Sequence, residues 1–380
     1  MPGPLPSLRA QSSSTIELPG DLVGALSGLL LCSPPEVVVE RIAGGNSMTT
    51  LRVSRRGAEL GDLRRGERPI TALVARVPPR QGRLPSAQDV FREFRALAAL
   101  HPHGVPVPAP LGVLWSAQDQ VPVLVEEYVP GVVIHADDGI SPLGQLPVRA
   151  SMSLAREALG GLVRVHQVSL SEVTLGSDLQ AATYFRRQVT RWNEQVERST
   201  HRDTARWENL LHRIFESLGG ADIGPAVTGV VHGDYDFHNL LFNKYPMTEG
   251  PGAKLEAILD WEMCTVGDVR ADVGWLASRS HDDLPLTPLT PRASVLGRLG
   301  IRQGEVVAMY EEMSGRSCGP LEVFIALARA KQAAIWLGHH ARTRSGVRTD
   351  PRFDTFAQYR DDLFEAWLAP ALKLTESLKS

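Results

Sequence analysis

Over the first 130 positions the apolar residues come in short runs broken by glycine-rich and polar stretches, a strand pattern more than a helical one. Residues 36–42 are β-branched at their centre and read as a strand, with residues 51–53 as a hairpin mate. Residues 70–78 predict a third strand, and residues 111–115 and 121–128 a further hairpin. Two helices interrupt them. Residues 22–31 predict a short one. Residues 86–100 predict another, capped by Ser86, with Asp89 in its first turn and an apolar face of Phe91, Phe94, Leu97, Ala98 and Leu100. The Pro-rich stretch 101–110 suits a connector. Beyond residue 130 the spacing turns helical: Leu154, Ala158, Leu162 and Val165 recur at helical intervals, and residues 184–197, 321–340 and 354–378 predict further helices. Strands return only briefly, around residues 230–242 and 257–262.

Composition narrows the class. With 380 residues and 43% hydrophobic content the chain can bury a substantial core, and length suggests two or so domains. A formal net charge of -3 points to neither nucleic acid nor an anionic membrane surface. No uninterrupted apolar span reaches transmembrane length, and the Pro- and Ser-rich residues 1–18 read as a flexible start rather than a signal peptide. Three scattered cysteines, Cys32, Cys264 and Cys318, lack a CxxC pair, which fits a reducing, cytoplasmic setting and no structural zinc. The first lysine is Lys244. Any cation needed in the N-terminal region must therefore be an arginine.

The chemistry concentrates in His232, Gly233, Asp234, Tyr235, Asp236, Phe237, His238 and Asn239, set between the apolar runs Val230–Val231 and Leu240–Phe242. A second apolar run, Ala257–Leu259, ends in Asp260, Trp261 and Glu262. Phosphoryl transfer needs one carboxylate to receive and orient an acceptor hydroxyl, and an Asn with a further Asp to hold magnesium on the nucleotide phosphates. Asp234, Asn239 and Asp260 reproduce the order and loop spacing of a protein kinase catalytic loop and its following metal-binding strand. Two other readings of the same residues stay open: a loop that only satisfies its own turn backbone, and a hydrolytic metal centre built on His232, Asp234 and His238.

His232-Gly233-Asp234 in place of His-Arg-Asp, and Asp260-Trp261-Glu262 in place of Asp-Phe-Gly, resemble the aminoglycoside phosphotransferase family of small-molecule kinases. Residues 84–94 together with Val105-Pro106-Val107-Pro108 resemble the branch of that family related to the kinase domain fused to some acyl-CoA dehydrogenases. The resemblance implies a bilobal α+β protein-kinase-like fold. An antiparallel-sheet lobe over residues 19–130 would bind nucleotide in the cleft beside a larger, mostly helical lobe over residues 131–380.

It also implies roles. Asp234 would be the base, with His232 beside it as the other catalytic residue, and Asn239 and Asp260 would hold Mg2+. Arg76 would stand where the family has its phosphate-facing lysine, paired with Glu93. Gly44, Gly45 and Ser47 would cover the phosphates of ATP or GTP, although on their own those residues read more readily as an ordinary hairpin turn. Glu127 and Val129 would offer main-chain groups to the purine, and Asp272 would brace the catalytic loop. The activity implied is transfer of a γ-phosphate to a hydroxyl of an antibiotic or hydroxylated metabolite. A cationic antibiotic would need an acidic pocket, for which Asp222, Asp236, Glu262, Asp268, Asp282 and Asp283 are the candidates. A catalytically silent nucleotide-binding module and a metal-dependent hydrolase are the alternatives. Trp192 and Trp207 could line a substrate groove or lie in the core. Oligomeric state is outside what the sequence expresses.

Overall fold

The computed structural model describes residues 20–42, 48–57, 72–78, 89–116, 121–136, 143–172, 175, 181–199, 203–245, 252–280, 294–345 and 352–377, with backbone only at 352–359, 363 and 377. Gly44, Gly45 and Ser47 lie outside the described residues, as do Ser86, Asp282 and Asp283. The chain divides into two compact units, Met1–Ala98 with Pro108–Tyr128, and Ala99–Val107 with Val129–Ser380.

The first unit is a five-stranded antiparallel sheet with helix α1 (Gly20–Leu29). Its strands are β1 (Val37–Arg41), β2 (Thr49–Arg55), β3 (Ala72–Val77), β4 (Pro110–Ser116) and β5 (Val121–Glu127), in the order β1-β2-β3-β5-β4. Alternation along the strands sorts the side chains by face. Leu51, Val53, Leu73, Ala75, Val121, Val123 and Val125 pack with Leu22, Leu26 and Leu30 of α1 into one core. Arg76, one step out of phase with Ala75, belongs to the opposite face, where helix α2 (Val90–Leu100) supplies Glu93.

The second unit is mostly helical. Its elements are β6 (Val132–Val133), α3 (Val148–Gln167), α4 (Tyr184–Glu197), α5 (Ala205–Gly220), β7 (Thr228–Val231), β8 (Leu240–Phe242), β9 (Leu255–Ile258), β10 (Thr265–Asp268), α6 (Arg270–Ala277), α7 (Val295–Arg298), α8 (Gln303–Ser314), α9 (Leu321–Arg344) and α10 (Arg352–Ser377). β7 pairs antiparallel with β10, and β8 lies between β6 and β9. Residues 99–107 join this unit because the Ile258 N–H, just at the end of β9, donates to the Pro106 carbonyl at 2.7 Å.

Helix α9 packs against α4, α6 and α10 and is apolar around its circumference, from Val323 to Ala334. Three polar side chains in that stretch, Arg329, Lys331 and Gln332, are nevertheless buried. Helices α5 and α8 and strand β10 were not distinguished by the sequence pattern. β10 is only four residues long and α8 carries polar residues that blur its period, whereas α5 has a clear apolar face.

Candidate active site

Strand β7 delivers the chain to His232, which is fully buried. Its backbone N–H donates to Asp272 Oδ2 at 2.7 Å, and the Gly233 N–H donates to Asp272 Oδ1 at 2.8 Å. Both carboxylate oxygens of Asp272 thus hold consecutive peptide groups. A third donor, His166 Nε2 of α3, lies 3.3 Å from Oδ2, and His166 Nδ1 is 2.7 Å from the Tyr310 hydroxyl of α8. Burial opposes ionisation of Asp272, but the His166 ring and these donors outweigh it and hold its carboxyl below the ordinary carboxylate pKa.

The His232 ring has one arrangement open to it. Nε2 lies 2.9 Å from the Leu259 carbonyl, which only accepts, so Nε2 carries the proton. Nδ1 in turn accepts from the Asp234 N–H at 3.2 Å. Burial lowers the pKa of this ring against the pull of Asp272 and Asp234, in keeping with a neutral imidazole. His232 packs on Trp261, with ring centroids 4.5 Å apart. Both ring nitrogens are committed to backbone groups, so the ring has neither a lone pair nor a proton to offer a substrate.

Asp234 follows at the mouth of the loop, its side chain 31% exposed. Asn239 Nδ2 donates to the Asp234 carbonyl at 2.9 Å and sits 3.3 Å from its Oδ2. His238 Nε2 is 3.4 Å from the same Oδ2, while its Nδ1 is 3.3 Å from Asp236 Oδ2. Desolvation alone would raise the pKa of Asp234; His238, Lys331 and Arg279 overcome it and hold the carboxyl well below the usual carboxylate range. The two carboxylates act likewise on His238. Against its own desolvation they push its pKa up to about 10, so it stays an imidazolium at neutral pH. Asp236 is also paired with Arg279 Nε at 2.8 Å and caps the turn by accepting from the Phe237 N–H.

Asp260 is tied to this loop through Leu259, whose N–H donates to the Asn239 carbonyl at 2.8 Å and whose carbonyl receives His232. Asp260 itself has φ 64° and ψ 65°, a left-handed conformation that Asp tolerates better than most residues but that still carries strain. The turn after it explains Gly233. A Cβ on Gly233, which has φ +88°, would lie 2.9 Å from the Met263 Cβ. The base loop and the Asp260 turn are therefore in van der Waals contact as well as hydrogen-bonded.

The donor set fits magnesium. Asn239 has its amide nitrogen on Asp234, so its Oδ1 is the atom that could serve as a hard oxygen ligand, and Asp260 would offer a carboxylate. Among the described residues no three His, Cys, Asp or Glu side chains gather as a metal cluster. A magnesium completed by nucleotide phosphates and water needs no such cluster.

Lys331 of α9 is a feature the sequence reading did not reach. Its Nζ donates to the Gly233 carbonyl at 2.7 Å, and the ammonium lies 3.9 Å from the Trp275 ring centroid and 5.5 Å from that of Trp192. Burial pushes its pKa down to about 8, against the opposing pull of Asp234 and Asp272. A signal was present in the sequence: a lysine inside a helix apolar on every face must find a buried partner. Trp192 thus belongs to this cluster. Trp207 is core, stacked on Phe364 with its Nε1 donating to Asp361.

In the first unit Arg76 Nε and Glu93 Oε2 lie 3.2 Å apart, with Glu93 buried. The Glu127 N–H donates to the Ala109 carbonyl at 2.9 Å, which takes that N–H out of play for a purine and leaves its carbonyl to be considered. Val129 is buried. Of the acidic residues weighed for a cationic acceptor, Asp268 is buried in a two-point pair with Arg270, Asp236 is neutralised by Arg279 and His238, and Asp222 accepts from the Gly224 N–H in a turn.

Residues 39–316 match the family model of the phosphotransferase enzyme family. The chain belongs to that family. Acyl-CoA dehydrogenase family member 11 of Gallus gallus is 29% identical to this phosphotransferase-family chain over 315 residues, 80% of the chain and 38% of that protein. The branch implied by residues 84–94 is thus the one its relatives occupy. The chain spans well under half the length of the curated relatives it matches.

Among solved structures, a Ralstonia eutropha protein described as a candidate aminoglycoside phosphotransferase gives a TM-score of 0.68 at 22% identity, covering 94% of this chain and 98% of its own. A thermostable mutant of aminoglycoside phosphotransferase APH(4)-Ia, in ternary complex with ADP and hygromycin B, gives 0.51 at 13% identity, covering 94% and 97%. At such identities the likeness carries the fold alone, an α+β protein-kinase-like fold with its antiparallel sheet in the N-terminal region. No helix among the described residues is long and apolar enough to cross a membrane.

Proposed function

We propose that this chain is a magnesium-dependent small-molecule O-phosphotransferase that moves the γ-phosphate of ATP or GTP to a hydroxyl group. The observation that carries the reading is the stitched loop. Asn239 holds Asp234, and Leu259 ties both to the Asp260 turn, so a proton acceptor and two oxygen donors for magnesium are fixed in one rigid group. The neighbour crystallised with ADP and hygromycin B supports a nucleotide donor and a hydroxylated acceptor.

Asp234 orients the acceptor O–H. As the new O–P bond forms and the bond to the β–γ bridging oxygen breaks, the proton passes to the carboxylate and the nucleoside diphosphate leaves. A carboxyl held so far below its ordinary pKa is a weak base, which suits a loose transition state in which the proton moves late and positioning supplies most of the rate. Magnesium on Asn239 and Asp260 would neutralise phosphate charge. Within the first unit the Arg76–Glu93 pair supports Arg76 as a phosphate-binding cation; a guanidinium would meet phosphate with a fork where a lysine offers a point charge. His232 acts here as a neutral brace between Asp234 and Leu259. Asp272 fixes the two peptide groups ahead of the base.

Two observations bear on the acceptor. Asp234 and Asp236 already have cationic partners, and the chain's own Lys331 covers the Trp275 face. A neutral or anionic hydroxylated compound therefore suits this loop better than a polycationic aminoglycoside. The silent-module alternative rests on Arg76 standing in for lysine.

The test is turnover of Mg·ATP and of Mg·GTP against a panel of hydroxylated metabolites, macrolides, nucleoside antibiotics and aminoglycosides, read by mass spectrometry. Phosphorylated product is expected with the wild type and absent with Asp234→Ala, while Mg·ATP affinity persists in that variant. Equal product from the variant would remove Asp234 from the mechanism. Magnesium-dependent nucleotide binding without any product would favour the silent module.

A further inference from the structure

We propose that Lys331 is a positioning residue for phosphoryl transfer, clamping the Gly233 carbonyl so that the peptide leading into Asp234 keeps a single orientation. The proposal rests on the phosphotransferase reading for its catalytic consequence, though not for the clamp itself.

The Gly233 peptide groups are held from two sides. Asp272 Oδ1 takes the N–H at 2.8 Å and Lys331 Nζ donates to the carbonyl at 2.7 Å. That carbonyl shares its rigid peptide plane with the Asp234 N–H, which donates to His232 Nδ1 at 3.2 Å. Turning the plane would break both bonds and swing the Asp234 side chain with it. Glycine at φ +88° offers little torsional resistance of its own, so the orientation rests on these hydrogen bonds, and the one to the carbonyl comes from outside the loop.

A small cavity lies against Gly233, Asp272, Trp275 and Lys331. On this side the Gly233 carbonyl is met by the ammonium, while the glycine's Cα packs towards Met263.

The lysine is kept in place at a cost. An ammonium 8% exposed within an apolar helix is disfavoured, and it is compensated by the Gly233 carbonyl and the faces of Trp275 and Trp192. The charged groups that act on it are Asp234 of the loop, Asp272 of α6, Arg279 just beyond α6, and Arg191 of α4. With the Lys331 pKa pushed down to about 8, the ammonium loses its charge within a range the protein can be studied in. A neutral amine still reaches the carbonyl, but more weakly, and it no longer helps to keep Asp234 ionised.

The experiment uses the full chain, with Lys331→Met and Lys331→Arg. Amide hydrogen exchange of residues 230–239, corrected for the intrinsic pH dependence of exchange, needs neither acceptor nor turnover. In the wild type, protection of Gly233 and Asp234 is expected to fall as pH rises through about 8. Lys331→Met should be at least about tenfold less protected at pH 7 and show no such step. Lys331→Arg should keep the protection and move the step to higher pH.

Formation of ADP from Mg·ATP, with water or the best panel compound as acceptor, is read alongside. Lys331→Met should lose kcat by about a hundredfold, the scale of a misplaced reacting group, with KM for Mg·ATP within about threefold. Wild-type protection and wild-type kcat in Lys331→Met would overturn the proposal. Should that variant fail to fold, an unmoved step in Lys331→Arg overturns it instead. If the wild type neither binds nor turns over Mg·ATP, the phosphotransferase reading fails, while the exchange data still decide the clamp.

Discussion

Asp234 is held ionised by His238 first, with Lys331 and Arg279 behind it, and His238 reads in the sequence as a loop residue beside Asn239. The ring sits between Asp234 and Asp236, 47% exposed and positively charged. Removing that charge must make the Asp234 carboxylate harder to form. His238→Gln is therefore expected to move the acid limb of kcat/KM to higher pH, with the plateau reduced by less than about tenfold, a modest loss beside that of a reacting group. Because His238 titrates near pH 10 and His232 is held neutral, the wild-type profile should show no inflection at the ordinary histidine pKa. A steady-state pH series of both proteins checks this, and an unmoved acid limb would remove His238 from the electrostatics of the base. At this scale the contact of Asn239 with Asp234 was legible because their spacing is local. The role of His232 was not: a histidine two residues before the base looks catalytic until burial shows both nitrogens bound to backbone.

Between elements, α6 does the bracing. Its Asp272 receives two peptide N–H groups from the loop after β7 and a histidine from α3, and it is 1% exposed. Asp272→Asn puts an amide where two oxygens each accept, so one buried donor faces another. A loss of about 3 kcal/mol in urea-denaturation stability at pH 7 is expected, the upper range for one buried group left unpaired. The sign with pH follows from the depressed carboxyl. Stability from Asp272 is present above the ordinary carboxylate pKa and is lost as pH falls through the lower folded value, so the gap between wild type and variant should narrow in acid. A constant gap would place the destabilisation in packing. The strands of the first unit followed their β-branched runs closely, whereas α8 and β10 were missed because tertiary burial, and not local period, holds them.

For the molecule as a whole, the proposed nucleotide binding would be linked to folding. A ligand that binds only the folded chain stabilises it by about 2.7 kcal/mol at a hundred times its Kd. Saturating Mg·ATP should raise the melting temperature of the wild type and of Asp234→Ala by several degrees and raise that of Asp260→Asn much less. Omitting magnesium should erase the difference between them. An equal shift for Asp260→Asn with magnesium present would take Asp260 out of the metal site. Each unit carries its own core, and the nucleotide response is the simplest whole-chain readout of the proposed function. With the chain spanning only 38% of the Gallus gallus relative, it reports on this segment's own chemistry.

The sequence by itself determined what depends on neighbours along the chain. Alternation put Arg76 on the face away from Ala75, helical spacing put Glu93 on α2, and the five-residue interval from Asp234 to Asn239 let the Asn239 amide reach the Asp234 carbonyl. Those are consequences of strand and turn geometry, which act over a few residues. Tertiary structure alone decided which helix face meets the loop. Lys331 reaches Gly233 across 98 residues of chain, and no local period shows which of the buried positions on α9 will face a carbonyl. The physical reason is that desolvation and hydrogen-bond satisfaction are settled by packing, and packing is not written at any fixed spacing.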